Sequence, residues 1–232
     1  MKFLSVPNSL ALIPDGNRRW AKAHSFSILD GYSLGVKKFI DFSEWCKDYG
    51  IRNLSVWALS SENLRRHSGE LNALFSIYRR VCKDKGIIGR LEENNVKVNI
   101  IGNREIIPKD LYAMLKVVET RTENNTGGVI NMLIGYGGKD DMMYAARNMA
   151  DMAKRGEEIT ESAFQGSLMS SSIPNIDFII RTSGEQRLSG FMPWQTGYSE
   201  LYFSKKLWPD FTRKDLYYAL ADYDKRERRF GK

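Results

Sequence analysis

The sequence predicts an α/β fold: a single domain with a mostly parallel central sheet of about six strands, flanked by helices. Two observations carry this. Short apolar runs alternate with amphipathic stretches of ten or more residues along the chain, the pattern of strand–helix–strand crossovers. No linker, internal repeat or low-complexity tract interrupts the alternation, so residues 1–232 are read as one domain.

The elements follow in order. Leu10-Ala11-Leu12-Ile13 is an apolar run ending at Pro14-Asp15-Gly16-Asn17, a buried strand entering a turn. Arg18 to His24 suits a short helix. Phe39, Phe42, Trp45 and Tyr49 recur at helical spacing between Tyr32 and Tyr49, and Gly50 supplies the stop. Asn53 to Leu59 is a second strand, followed by a loop at Ser60-Ser61-Glu62-Asn63. Glu70 to Asn95 is helical, with Leu71, Leu74, Tyr78 and Val81 on one face and a break at Gly86. Val96 to Ile101 is a third strand, and Pro108 opens a helix reaching Thr122. Val129 to Ile134 is a fourth, closed by Gly135-Tyr136-Gly137-Gly138, and Asp140 to Lys154 is helical. Ile176 to Ile180 and Glu200 to Phe203 are the last strands. Thr212, with Asp215 three residues on, is a capping box for a final helix reaching Arg228.

Lys plus Arg (35) exceed Asp plus Glu (28), a net charge of +7. That balance calls for an anionic partner, and nucleic acid, an anionic membrane surface or a phosphorylated small molecule all satisfy it. The arginines sit in loops after strands rather than along one helix face, and no recognition motif appears, so nucleic acid is not an expected partner. The 42% hydrophobic content argues against disorder. No apolar run approaches the roughly 18 residues that span a bilayer, which leaves peripheral membrane association at most. Lys2 alone precedes a short apolar patch that Pro7 and Asn8 interrupt, so no secretory signal is expected. Cys46 and Cys82 stand outside any C-x-x-C spacing, and His24 and His67 are the only histidines. Zinc is therefore not expected, and two free thiols fit a reducing, cytoplasmic compartment.

Gly31-Tyr32-Ser33-Leu34-Gly35 formally matches G-x-S-x-G. A nucleophile elbow needs a preceding strand and later acid and histidine partners. Ser25 to Asp30 is at best a weak strand, and the only later histidine, His67, lies in a charged loop. There is no G-x-G-x-x-G and no G-x-x-x-x-G-K-[ST], which removes the simple dinucleotide and P-loop readings.

Three polar clusters follow predicted strands: Asp15 to Arg19, Ser60 to Arg66, and Arg181 to Ser189. Ligands of open α/β sheets bind outside the carboxyl ends of strands, so the three are expected at one sheet edge. Asp15 beside a diphosphate suits Mg²⁺, which is held by one or two carboxylates plus substrate phosphates. Gly16 lets a ligand approach the backbone, and Arg18 and Arg19 supply guanidinium forks that match phosphate. Ser60, Ser61, Glu62 and Asn63 add small polar groups, with Arg65 and Arg66 behind them. Arg181 and Arg187, on a Gly/Ser loop, suit a second phosphate, and Glu200 is a further carboxylate. Taken singly, each stretch also fits a capped helix with solvated arginines, an exposed cap or a strand-end charge.

Together these blocks resemble the cis-prenyltransferases, the family of undecaprenyl diphosphate synthase. The matching blocks are Pro14-Asp15-Gly16-Asn17-Arg18-Arg19-Trp20-Ala21, Ser60-Ser61-Glu62-Asn63, Tyr136-Gly137-Gly138, Arg181-Thr182 with Glu185 and Arg187, and Glu200-Leu201-Tyr202-Phe203. Trp208-Pro209-Asp210-Phe211 and the ending Arg226 to Gly231 match as well. The resemblance implies a Mg²⁺-dependent transferase that condenses an allylic prenyl diphosphate with isopentenyl diphosphate in cis, releasing diphosphate. It implies that Asp15 holds Mg²⁺ on the allylic diphosphate, with Glu200 a second metal-site carboxylate. Gly16, Asn17, Arg18 and Arg19, with Trp20 beside them, match the loop cradling that diphosphate. Ser60, Ser61, Glu62, Asn63 and Arg66 match the loop aligning the two substrates, where Asn63 and Ser60 are candidates for proton removal. Arg181, Arg187, Leu188 and Ser189 match the residues binding isopentenyl diphosphate. A homodimer through the C-terminal region, including Arg229 and Gly231, is implied too.

Three positions depart from the family pattern. Tyr32, a substrate-side position, stands where the family usually has His. Ile28 stands where Arg is frequent, and Gln186 where His is common. A G-Y block with a changed metal side resembles those relatives that couple two allylic diphosphates head-to-middle, with dimethylallyl diphosphate as acceptor. A partner subunit of a heteromeric enzyme is a further alternative, against which stands the retained Asp15.

Overall fold

The computed structural model describes residues 3–65 and 68–227. Its elements run β1 (Ser9–Ile13), α1 (Asn17–Ala23), α2 (Ile28–Asp48), β2 (Asn53–Ser60), α3 (Ser68–Lys83), α4 (Lys85–Glu93), β3 (Val96–Ile101), α5 (Lys109–Thr122), β4 (Gly128–Tyr136), α6 (Gly138–Lys154), α7 (Glu161–Gly166), β5 (Phe178–Arg181), β6 (Glu200–Phe203) and α8 (Arg213–Asp224). The six strands form one all-parallel sheet in the order β3-β4-β2-β1-β5-β6. The order reverses at β1, which has β2 on one side and β5 on the other. A crevice opens at such a switch point, outside the carboxyl ends of the strands.

All five residues of β1 are buried, as a central strand covered on both faces requires. The two-residue strand period sends Leu10 and Leu12 to one face and Ala11 and Ile13 to the other. Leu10 and Leu12 join Phe42, Cys46, Trp208, Phe211, Leu216 and Leu220 beneath α2 and α8. Ala11 and Ile13 join Leu133, Tyr136, Ile179 and Phe191 on the opposite face. A third cluster packs α3 and α5 over the β2–β4 half, through Leu59, Leu74, Tyr78, Leu111 and Leu115.

Several boundaries differ from the sequence expectation, each for a local reason. Ser25 to Asp30 is not a strand. Ser27 caps α2, accepting from the Asp30 N–H at 3.1 Å, while the Ser27 N–H donates to the Asp30 carboxylate at 3.2 Å. Gly31 and Gly35 therefore lie inside α2, where a Cβ would stand 2.7 Å from the Asn17 carbonyl oxygen and 2.2 Å from Asn17 Oδ1. They let α1 pack against α2 and build no nucleophile elbow. The break expected at Gly86 within Glu70 to Asn95 falls at Asp84, whose carboxylate accepts from the Gly86 and Ile87 N–H groups and starts α4. β5 starts at Phe178, because the Asp177 carboxylate accepts from the Asn8 and Ser9 N–H groups, both at 3.0 Å. α7 was not anticipated. The Thr212–Asp215 capping box is present, and α8 ends at Asp224; Arg228 lies outside the described residues. Among the described residues no helix is long and apolar enough to cross a membrane.

Candidate active site

Three of the loops expected at one sheet edge do converge there. Gly16 takes φ +113°, and a Cβ on it would stand 2.9 Å from Leu207 Cδ2, so the chain turns here only with glycine. The Asp15 carbonyl accepts from the Thr182 hydroxyl at 2.6 Å and from the Trp208 N–H at 3.1 Å, which pins the loop after β1 to the loop after β5. The Asp15 carboxylate accepts from Arg181 Nη2 at 2.9 Å, and Arg19 Nη2 stands 3.6 Å from its other oxygen. Partial burial pushes the Asp15 pKa up. The Arg181 hydrogen bond and charge, a bond from Ser183 and the charge of Arg19 outweigh that and hold the carboxyl below its ordinary value.

Arg181 is nearly buried, its side chain 6% exposed. It donates through Nη1 to the Arg187 carbonyl at 2.6 Å and the Ser189 hydroxyl at 3.0 Å, while its buried Nε has no partner. Arg19 donates to the Ser183 hydroxyl at 2.6 Å, and Glu185 bridges Arg19, at 3.3 Å, to Arg187. Ser183, Ser189 and Met192 all take positive φ, three of the five non-glycine residues that do so among those described. Backbone strain gathered in one loop is what a surrounding network over-determines at a ligand site.

The opposite bank is built from β2, α2 and α3. The β2–β4 register shifts between Trp57 and Ser60, an irregularity that re-aims the end of β2. Ser60 caps the short 3-10 turn that follows, accepting from the Asn63 N–H at 3.1 Å. The Tyr32 hydroxyl donates to Glu70 Oε1 at 2.7 Å, and Arg18 reaches Glu70 Oε2 at 3.5 Å. Between the banks opens a cavity of about 1070 Å³. Asp15, Gly16, Asn17, Arg18, Arg19, Tyr32, Ser60, Glu62, Asn63, Arg181, Arg187 and Ser189 line its mouth. Val36, Phe39, Val56, Leu74, Tyr78 and Ile130 are among its apolar walls. A cationic mouth on an apolar bore suits an anionic head with a hydrocarbon tail.

Other expected residues are placed elsewhere. The Trp20 indole N–H donates to Asp210 at 2.7 Å, and its ring stacks on His24 and Phe26, so it holds α1 in place and does not line the cavity. Ser61 donates its N–H to the Tyr136 carbonyl at 3.0 Å, and its hydroxyl fills the space a Cβ on Gly137 would need. Leu188 packs into the core. Glu200 is not brought to Asp15 within this chain. It starts β6, in register with Phe178, whereas Arg181 at the site pairs with Phe203. The Glu200 carboxylate instead accepts from Arg226 at 2.6 Å. Ile28 and Gln186 are exposed. Arg66, Arg229 and Gly231 lie outside the described residues. Sequence reasoning did not assign site roles to Thr182, Glu185 or Glu70. Glu185 was visible inside the Arg181–Arg187 block, but the Glu70 contact to Tyr32 spans 38 positions and leaves no local signal.

Among the described residues no three His, Cys, Asp or Glu side chains gather as a ready-made metal cage. The partly exposed Asp15 carboxylate at the mouth is nevertheless a donor that suits Mg²⁺ carried in with phosphate oxygens.

The prenyltransferase family model described as undecaprenyl diphosphate synthase matches residues 13–231. The chain is a cis-prenyltransferase. It is 38% identical to the isoprenyl transferase of Geobacter sulfurreducens over 98% of this chain and 93% of that one. It is 39% identical to the isoprenyl transferase of Chlorobaculum tepidum over 98% of this chain and 86% of that one. Among solved structures, the prenyltransferase is similar to lavandulyl diphosphate synthase from Lavandula x intermedia in complex with dimethylallyl diphosphate. The TM-score is 0.93 and the identity 34%, over 97% of this chain and 98% of that one. It is also similar to a probable undecaprenyl diphosphate synthase from Campylobacter jejuni, with TM-score 0.81 and 28% identity over 99% and 100% of the two chains.

Proposed function

We propose that this prenyltransferase extends an allylic prenyl diphosphate with isopentenyl diphosphate in cis, using Mg²⁺ and releasing diphosphate. The observation that carries the reading is the join between the Asp15–Arg181 mouth and the long apolar cavity. Asn17, Arg18 and Arg19 hold the allylic diphosphate, and Asp15 with the substrate's own phosphate oxygens holds Mg²⁺. When bound, the ion neutralises negative charge on the leaving diphosphate. Arg187 and Ser189 hold the second diphosphate. Arg181 keeps Asp15 ionised and ties the two head sites together. The two heads are thereby oriented for attack of the isopentenyl double bond on the allylic carbon. Asn63 and Ser60, at the end of β2, are the polar groups placed to take the proton that the condensed chain then loses. The apolar walls exclude water that would trap the cation.

A second reading, head-to-middle coupling with dimethylallyl diphosphate as acceptor, is favoured by Tyr32 and by the likeness to lavandulyl diphosphate synthase. The cavity favours elongation, because its apolar length exceeds the need of two five-carbon units. The homodimer through Arg229 and Gly231 and the cytoplasmic location rest on the family likeness and on the free thiols. Purified protein is incubated with Mg²⁺ and either farnesyl plus isopentenyl diphosphate or dimethylallyl diphosphate alone, and products are read by mass spectrometry. Elongation gives a ladder of five-carbon additions in the first reaction. A ten-carbon branched diphosphate in the second reaction, without a ladder in the first, sinks it.

A further inference from the structure

The turn between α1 and α2 is an apolar corner that the fold leaves in water. Every residue from Lys22 to Asp30 is exposed. Three of them are large and apolar within four positions: Phe26 at 55%, Ile28 at 43% and Leu29 at 39% exposure. Scattered apolar side chains on a surface need no explanation, but a contiguous set marks a contact. The corner is also stiff. Ser25 takes φ +57°, and the Phe26 N–H donates to the Ala21 carbonyl at 2.9 Å. The Phe26 ring lies parallel to Trp20, with centroids 5.5 Å apart, and Trp20 is fixed in turn by Asp210. Ile28 and Leu29 open α2 directly after its Ser27 cap. A rigid frame thus presents these side chains outward.

The charge around the corner is one-sided. From Arg18 to Lys38 the chain carries Arg18, Arg19, Lys22, Lys37 and Lys38 against a single acid, Asp30. The Asp30 carboxylate is engaged by the Ser27 N–H and hydroxyl. Leu29, Ser33 and Lys37 share one face of α2 by their four-residue spacing. Exposed Arg80, from α3, donates to the Ser33 hydroxyl at 3.1 Å. The apolar tip is therefore flanked by Lys22 at the end of α1 and by Arg80 and Lys37 along α2. Another run of exposed apolar side chains, Met142, Met143 and Tyr144 on α6, lacks this surround: Lys139 and Arg147 stand there with Asp140, Asp141 and Asp151. Apolar side chains that enter the acyl boundary, ringed by cations that meet phosphates, are the chemistry of binding to an anionic bilayer surface. α1 leaves the cavity mouth at Arg18 and Arg19, and α2 returns to it at Tyr32. The corner between them stands at the rim of the mouth, about 10 Å away by the length of α1.

We infer that the α1–α2 corner docks the protein on an anionic lipid surface, with Phe26, Ile28 and Leu29 at the acyl boundary and Lys22, Lys37 and Arg80 against lipid phosphates. Docking holds the rim of the mouth at the bilayer. The surface is made of this chain's own residues and does not depend on which coupling the site performs.

The full chain is sedimented with vesicles of equal parts phosphatidylglycerol and phosphatidylcholine, and with vesicles of phosphatidylcholine alone. Wild type is expected to bind the anionic vesicles and not the neutral ones, more weakly as salt is raised. Ile28→Ser with Leu29→Ser leaves the Ser27–Asp30 cap intact and is expected to weaken binding at least about tenfold. Lys22→Gln is expected to weaken it about fivefold, the share of one cation near a charged bilayer. Met142→Ser with Met143→Ser, on α6, is expected to leave it unchanged. A second measurement keeps the test decisive if the Ile28/Leu29 pair misfolds: Ile28→Cys carries an environment-sensitive fluorophore, whose emission is expected to shift to the blue on anionic vesicles only. No binding to either vesicle, a loss as large in the α6 pair, or an unshifted fluorophore overturns the inference. So does a wild-type oligomer that the Ile28/Leu29 pair dissociates, which assigns the corner to a second copy of the chain. None of these readouts needs turnover, so their failure is distinct from failure of the elongation reading.

Discussion

The two banks of the cavity mouth carry the same kinds of side chain but hold them differently. On the β1–β5 bank, Arg181 is 6% exposed and donates to Asp15, the Arg187 carbonyl and Ser189. Arg18, which extends from α1 across to the β2–α3 bank, is 54% exposed and reaches Glu70 at 3.5 Å. The first arginine is fixed before any substrate arrives; the second is a long side chain in water. A fixed guanidinium orients without paying ordering entropy at the moment of binding, whereas a solvated one supplies charge and adapts. Geometry thus resides on the β1–β5 bank and adjustment on the other.

Substitution on the fixed bank has the largest expected effect. Arg181→Ala removes the donors of three contacts and leaves Asp15 without its main counter-charge. A loss of about 3 kcal/mol in denaturant unfolding is expected, since breaking a buried pair costs on that order, together with loss of activity. Asp15→Asn keeps the shape and removes the charge. kcat is expected to fall on the order of 10²- to 10³-fold in a Mg²⁺-saturated assay, the scale on which loss of one electrostatic stabiliser is felt.

On the adaptable bank the signs separate. Arg18→Ala is expected to change unfolding stability by less than about 0.5 kcal/mol, because exposed pairs contribute little. It is expected to raise KM for the allylic diphosphate more than it lowers kcat. A large stability loss in Arg18→Ala, or none in Arg181→Ala, breaks the comparison.

A pH series sharpens it further. The Asp15 carboxyl is held below its ordinary value in the folded chain. The stability it contributes is full above the unfolded-state pKa of about 3.9 and is lost as pH falls through the lower folded value. Melting temperatures between pH 2 and 5 are expected to fall more steeply in wild type than in Asp15→Asn, with parallel curves above pH 5. The smallest effect concerns the thiols. Burial pushes Cys82 up to about 11 and Cys46 well above its ordinary value, so neither reacts readily with a thiol reagent near neutral pH until the chain unfolds.

The fold was legible because its signals are local. β1, with four buried apolar residues before a Pro-Asp-Gly turn, and the Thr212–Asp215 box declare themselves in a few residues. The convergence of Asp15, Ser60 and Arg181 was legible too, since parallel strands deliver their following loops to one edge. The misplacements come from side chains acting at a distance. Asp177 trims β5 by bonding Asn8 and Ser9, far earlier in the chain. Trp20 turns toward Asp210, and no spacing rule reports that. Glu200 was set beside Asp15 by family likeness, yet a residue that starts a strand parallel to β5 lies at the other end from one that follows β1.

The most direct test of the central claim follows incorporation of labelled isopentenyl diphosphate into a farnesyl diphosphate primer by wild type and Asp15→Ala, with and without Mg²⁺. The expected result is a five-carbon ladder in wild type with Mg²⁺ only, lost in Asp15→Ala. Equal incorporation by both proteins, or none by wild type with Mg²⁺, would contradict it.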